Sequence, residues 1–136
     1  MDETNPARRT GRSVAALLAG FVVVVILSLG TDVVLHATGL YPKLGQAMSN
    51  PLFLLATTYR TVYAIIGSYI TARVAPYKPM LHALVGGCIG LVLSIVGAAV
   101  SWHKPELGPH WYPLALVVTA LPCAWIAGKI RVAQLR

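Results

Sequence analysis

The chain has 136 residues, enough for one domain. Hydrophobic residues make up 57% and charged residues 11%, whereas a soluble domain carries about 25% charged residues, so a water-facing surface cannot be covered and an ordinary soluble fold is excluded. The net charge is +7, from eleven Lys and Arg against four Asp and Glu; these cations fall in termini and loops without an aromatic-interleaved basic stripe, which argues against nucleic acid and for a membrane face near anionic lipid.

Residues 1–12 are polar and basic and include Pro6 and Gly11, so they read as a disordered tail. Four apolar runs follow, over residues 14–35, 52–74, 81–101 and 111–130. Each has about 20 residues, and at about 1.5 Å per residue each reaches across a hydrocarbon core of about 30 Å. Within lipid the backbone must satisfy its own hydrogen bonds, so these runs predict helices, and no period-two polar alternation suggests strands. The predicted fold is all-α, a four-transmembrane-helix bundle spanning 13–131, with a short tail at 132–136. The basic start and apolar centre of the first run resemble a signal peptide, but the run is too long and lacks a small-x-small cleavage site.

The linkers agree with this division. The segment 38–51 holds two Gly, two Pro and Asn50; 75–79 is a Pro-bounded turn; 103–110 holds Pro105, Gly108 and Pro109. Pro113 suits the first turn of the last helix, where its missing N–H does no harm, and Pro122 is expected to kink that helix.

Loop charges predict the orientation. With the amino terminus inside, the inner segments hold Arg8, Arg9, Arg12, Arg73, Lys78, Lys129, Arg131 and Arg136, and the outer loops hold Lys43 and Lys104. Both termini are therefore expected on the cytoplasmic side.

Apolar side chains gain little by leaving lipid for one another, so membrane helices associate through close backbone approach and polar contacts. The third run carries Gly86, Gly87, Gly90, Ser94 and Gly97, including a G-x-x-x-G pair, and the second carries Gly67, Ser68 and Thr71. Gly67, Gly86, Gly90, Ser94 and Gly97 are thus the expected packing positions, either within one chain or at a homo-oligomer face.

An ionisable residue in a membrane helix is costly and faces the bundle interior or a cavity. Asp32 and Arg60 fit that description, at about 5 and 12 Å inside the outer boundary, close enough to pair if the arginine extends outward. His36 shares the helix face of Asp32 four residues on, and Tyr59 and Tyr63 flank Arg60. Trp102, His103, His110, Trp111 and Tyr112 fall at the same side. Asp32, His36, Tyr59, Arg60, Tyr63, His103 and His110 therefore form a candidate outward-facing polar pocket. The plainer readings are a structural ion pair, loop histidines and an interfacial aromatic belt. Asp32, His36, His103 and His110 are weak metal candidates, since only D-x-x-x-H has any spacing; no metal or other cofactor is predicted. His82 is expected at the inner interface. Cys88 and Cys123 lie at similar depths in apolar surroundings, with no disulfide or zinc pattern.

The run Leu55-Ala56-Thr57-Thr58-Tyr59-Arg60, the stretch Gly67-Ser68-Tyr69-Ile70-Thr71-Ala72-Arg73-Val74-Ala75-Pro76 and the segment Pro79-Met80-Leu81-His82-Ala83 resemble a family of small, uncharacterised bacterial four-helix integral membrane proteins. Gly108-Pro109-His110-Trp111-Tyr112-Pro113 and Leu121-Pro122-Cys123-Ala124-Trp125 fit the same pattern, so the likeness covers most of the chain after Val14. The resemblance implies a bacterial cytoplasmic membrane and carries no activity.

Three functions are compatible with these residues. The first is a non-catalytic subunit or a lipid- or ligand-binding protein, favoured because no H-E-x-x-H, G-x-S-x-G or phosphate-cradling loop occurs. The second is an oligomeric transporter of a small solute, proton or anion through Arg60 and Asp32. The third is a membrane enzyme using Asp32, His36 and Arg60 on a lipid or quinone. The lipid bilayer is the one expected partner common to all three, with a homo-oligomer or a larger membrane complex left open.

Overall fold

The computed structural model describes residues 6–43, 46, 48–104 and 108–136. Four helices are present: α1 (Pro6–Ala37), α2 (Asn50–Val74), α3 (Pro79–Ser101) and α4 (Trp111–Gln134). Three of them, α1, α3 and α4, are long and apolar enough to cross a membrane. The 25 residues of α2 are also long enough. Its apolarity is diluted where Thr57, Thr58, Tyr59, Arg60 and Thr61 follow one another.

The boundaries differ from expectation mainly at α1, which begins at Pro6 rather than Val14. Residues 6–12 are helical, not a disordered tail, while residues 1–5 lie outside the described residues. Proline is favoured at a helix start, and Ala7, Arg8, Arg9 and Arg12 have good helix propensity, so the helix projects beyond its apolar stretch. At the other end of the chain α4 continues to Gln134 and passes through Pro122 as one helix.

The helices pack α1 on α2, α3 on α4, and α2 on α4, while α1 and α3 make only a slight contact. Side-chain bonds show which ends coincide. Thr71 near the end of α2 donates to the Ala16 carbonyl near the start of α1 at 3.1 Å. Tyr69 on α2 bonds Gln134 at the end of α4, and His82 at the start of α3 bonds Ser13 of α1. One end of the bundle therefore gathers the start of α1, the end of α2, the start of α3 and the end of α4, together with all eight cations assigned to the inner segments.

His82, expected at the inner interface, lies at the basic end and is enclosed by its neighbours. It is buried, 6% exposed, with Nε2 2.8 Å from the Ser13 hydroxyl and Nδ1 donating to the Lys78 carbonyl at 3.1 Å. Tyr77 packs edge-on against its ring. The histidine thus pins α1 to α3 at the basic end.

The core is made of small residues. Ala16, Ala56, Ala72, Ala83, Ala124 and Ala127 are almost fully buried, whereas Leu, Ile and Val side chains dominate the exposed set. In water that distribution would be inverted; in lipid it follows from packing by close backbone approach. The tightest crossing is Gly20 of α1 against Gly67 of α2. A Cβ on Gly20 would lie 2.5 Å from the Gly67 carbonyl oxygen, and one on Gly67 would lie 2.8 Å from that of Gly20. On the other side, a Cβ on Gly87 would lie 2.5 Å from the Ala124 side chain, and one on Gly128 2.6 Å from Met80.

The predicted packing set is therefore only partly used. Gly67 is a true crossing point, and Gly86 is near ordinary contact distance from Leu17. A Cβ added at Gly90 or Gly97 would meet nothing within 4 Å, and Ser94 faces a cleft. The G-x-x-x-G pair of α3 is not a close crossing within this chain. Gly90→Ala and Gly97→Ala are accordingly expected to leave thermal stability unchanged or to raise it by up to about 1 kcal/mol each, through helix propensity. Thermal unfolding in detergent measures this, and a loss above about 1 kcal/mol would mean that these positions pack against something.

Cys88 is exposed on the bundle exterior and Cys123 is buried, and both are free. Cys123 points at α2, with its thiol 3.7 Å from the Thr61 carbonyl.

Candidate functional site

Asp32 projects from α1 and Arg60 from α2, and they meet as an ion pair with Nη2 2.5 Å from Oδ2. The pair is partly accessible, with the arginine side chain 29% and the aspartate side chain 22% exposed. A carboxylate and a guanidinium that neutralise one another lower the cost of holding either in an apolar medium.

Tyrosines complete the aspartate's shell. Tyr59, adjacent to Arg60, donates its hydroxyl to Asp32 Oδ1. The Tyr41 hydroxyl lies 3.1 Å from that of Tyr59 and also reaches the Leu52 carbonyl. One helical turn along α2, the Tyr63 hydroxyl is 2.7 Å from that of Thr31, and its ring lies 5.8 Å from that of Tyr59. His36 Nδ1 donates to the Asp32 backbone carbonyl at 2.7 Å, which fixes the proton on Nδ1 and leaves Nε2 as an acceptor in the neutral ring. The His36 ring packs edge-on against Tyr41.

The structure therefore brings together five predicted residues, Asp32, His36, Tyr59, Arg60 and Tyr63. It adds Tyr41 and Thr31, which helical spacing alone does not single out. Tyr41 sits in the connection after α1, where no periodicity aims a side chain, yet it is 4% exposed. Its aromatic ring between Leu40 and Pro42 is the only signal in the sequence that it is held inward.

His103 and His110 are not part of this network. His110 stacks on Trp102 at 3.8 Å between ring centroids and donates Nε2–H to the Trp102 carbonyl at 2.8 Å. Both histidines line a separate open hollow of about 500 Å³ with Met48, Asn50 and Phe53. Among the described residues no three metal-ligating side chains converge. The set Asp32, His36, His103 and His110 is thus divided between two places, because His103 and His110 belong to the α3–α4 connection and Asp32 faces α2.

A second feature lies beside the ion pair. Because α1 and α3 diverge from their contact near His82, a cleft of about 440 Å³ opens between them. Its walls are Leu17, Phe21 and Val24 from α1 and Ile89, Gly90 and Leu93 from α3. Its floor is α2, from Thr71 and Gly67 through Ala64 to Thr61 and Arg60. Gly90 and Ser94 face this space, and at Gly90 no neighbouring helix lies within contact distance. Arg60 thus has two aspects. One nitrogen holds Asp32, while the side chain borders the cleft, and its Nε is a buried donor with no partner.

The arrangement offers a long apolar surface ending in a cationic hydrogen-bond donor whose charge is already balanced. Among the described residues that line the cleft there is no histidine, cysteine or carboxylate. No protein-family profile, curated protein or solved structure matches this chain.

Proposed function

We propose that this chain is a four-span protein of the bacterial cytoplasmic membrane, with both termini cytoplasmic, that binds a lipid-like amphiphile without transforming it. The observation that carries this reading is the α1–α3 cleft with Arg60 at its polar end. Its volume of about 440 Å³ falls within the range of small-ligand sites. Apolar walls suit a hydrocarbon tail, and the partly exposed Arg60 guanidinium at the polar end suits a head-group oxygen. Asp32 balances the arginine, so a neutral or weakly polar head group fits better than a dianion.

Two features support α2 as a fourth span despite its lower apolarity. It packs against all three other helices. Most of its polar side chains also bond within the protein: Thr57, Thr58 and Thr61 donate to carbonyls four residues earlier, and Tyr59, Arg60 and Tyr63 bond α1. The concentration of cations at one end supports the orientation, by the positive-inside rule.

Native mass spectrometry of the full chain, released from membranes in gentle detergent, tests the reading. The parent is expected to retain an amphiphile of defined mass. Gly90→Leu should lose most of it, since a leucine there enters open space in the cleft rather than a backbone. Equal retention by parent and variant, or an empty parent, would overturn the proposal.

A further inference from the structure

We infer a second, independent ligand site at the opposite, basic end of the bundle, where Arg73 and Arg131 converge to take the phosphodiester of an anionic phospholipid head group. It stands on different residues from the cleft and does not require that reading.

The site is built from the last turns of α2 and α4. Arg73 Nη1 donates to the Tyr69 hydroxyl at 3.4 Å. That hydroxyl donates to Gln134 Oε1 at 2.6 Å, and the same oxygen is 3.5 Å from Arg131 Nη1. Two guanidinium groups thereby lie beside one tyrosine–glutamine bridge, each at long hydrogen-bond distance. No acidic side chain is paired with either of them among the described residues. Two like charges so placed repel, and a structural role would call for a carboxylate between them. Of the four acids in the sequence, Asp2 and Glu3 lie outside the described residues, Asp32 pairs with Arg60 and Glu106 belongs to the α3–α4 connection.

Donor capacity is also left over. Gln134 accepts through its oxygen and keeps its amide N–H groups unused. Helix C-termini favour cations through the dipole, and this accounts for one arginine at each helix end. It does not account for their sharing one tyrosine–glutamine bridge. A phosphodiester does, because its two free oxygens carry one negative charge and accept the planar donor fork of arginine. The lipid, rather than a free anion, is the committed source, because the ends of two membrane-length helices lie at the level where head groups reside and attract cations.

The test uses the full chain in mild detergent, titrated with phosphatidylglycerol or phosphatidylcholine, with bound lipid counted by native mass spectrometry. The parent should hold one phosphatidylglycerol at least about tenfold more tightly than phosphatidylcholine. Arg73→Gln combined with Arg131→Gln should remove that preference. Arg8→Gln combined with Lys78→Gln, which removes the same charge at the same end, should keep it. Tyr69→Phe, which leaves both charges and loses only the bridging hydroxyl, should weaken phosphatidylglycerol binding about threefold, and it serves if the double arginine variant does not fold. Equal loss in the Arg8/Lys78 variant would reduce the effect to general attraction, and an unchanged Arg73/Arg131 variant would remove the site. Displacement of the lipid by millimolar inorganic phosphate would assign the site to a free anion instead. Any of these three results, or no change in Tyr69→Phe, overturns the proposal.

Discussion

Asp32→Asn is expected to destabilise the bundle by about 3 kcal/mol, the lower part of the range for breaking a buried pair, because both partners here are partly accessible. The change leaves the Arg60 charge without its carboxylate and weakens the acceptor for the Tyr59 hydroxyl as well. In a chain of this size, that loss corresponds to a fall in Tm of roughly 10 °C. Adding Arg60→Gln to Asp32→Asn removes the orphaned charge and should recover part of the loss, since an amide pair can share a neutral hydrogen bond. Thermal unfolding of the two single variants and the double variant closes the cycle. Strictly additive losses would show that the two side chains do not depend on each other.

Gly20→Ala should be at least as damaging, at about 3 kcal/mol, although it adds only one methyl group. Its Cβ would run into the Thr71 hydroxyl oxygen and lie 2.5 Å from the Gly67 backbone oxygen. A backbone carbonyl cannot rotate away as a flexible side chain can, so α1 and α2 must separate, and overpacking of this kind sits at the top of its usual range. Separation would also break the Thr71 to Ala16 hydrogen bond and distort the floor of the cleft. The comparison is Gly30→Ala on the same helix, where nothing lies within 4 Å. That variant should be neutral or gain about 0.5–1 kcal/mol. If both substitutions had the same effect on Tm, the Gly20–Gly67 crossing would not be the contact that joins these helices.

These two sites differ in how visible they are in the chain. Asp32 and Arg60 announce themselves as charges inside apolar runs, and depth counted along each helix is enough to suggest that they meet. Gly20 gives no such notice. It sits among valines and leucines in α1, and nothing local separates it from Gly30, which has open space around it. The same holds on α3, where the regular spacing of Gly86 and Gly90 suggests a crossing, but Gly87 is the glycine that meets a neighbouring helix. Tyr41 is hidden for a different reason: a loop side chain has no periodicity from which to read its direction. His103 and His110 lie at the expected end of the bundle but line a separate hollow, and His110 is held by Trp102, so nearness in depth does not bring them to Asp32.

Sequence alone determines the four helices, their approximate ends apart from the start of α1, and the segregation of positive charge. Length, apolarity and backbone hydrogen bonding act within each segment and need no partner. The tertiary structure alone decides which faces touch, that Asp32, Tyr59 and Arg60 close into one network, and that α1 and α3 part to leave a cleft. Helices that are apolar on every side carry no stripe to mark an inward face, so their rotation is settled by a few close backbone contacts and polar bonds between segments far apart in the chain.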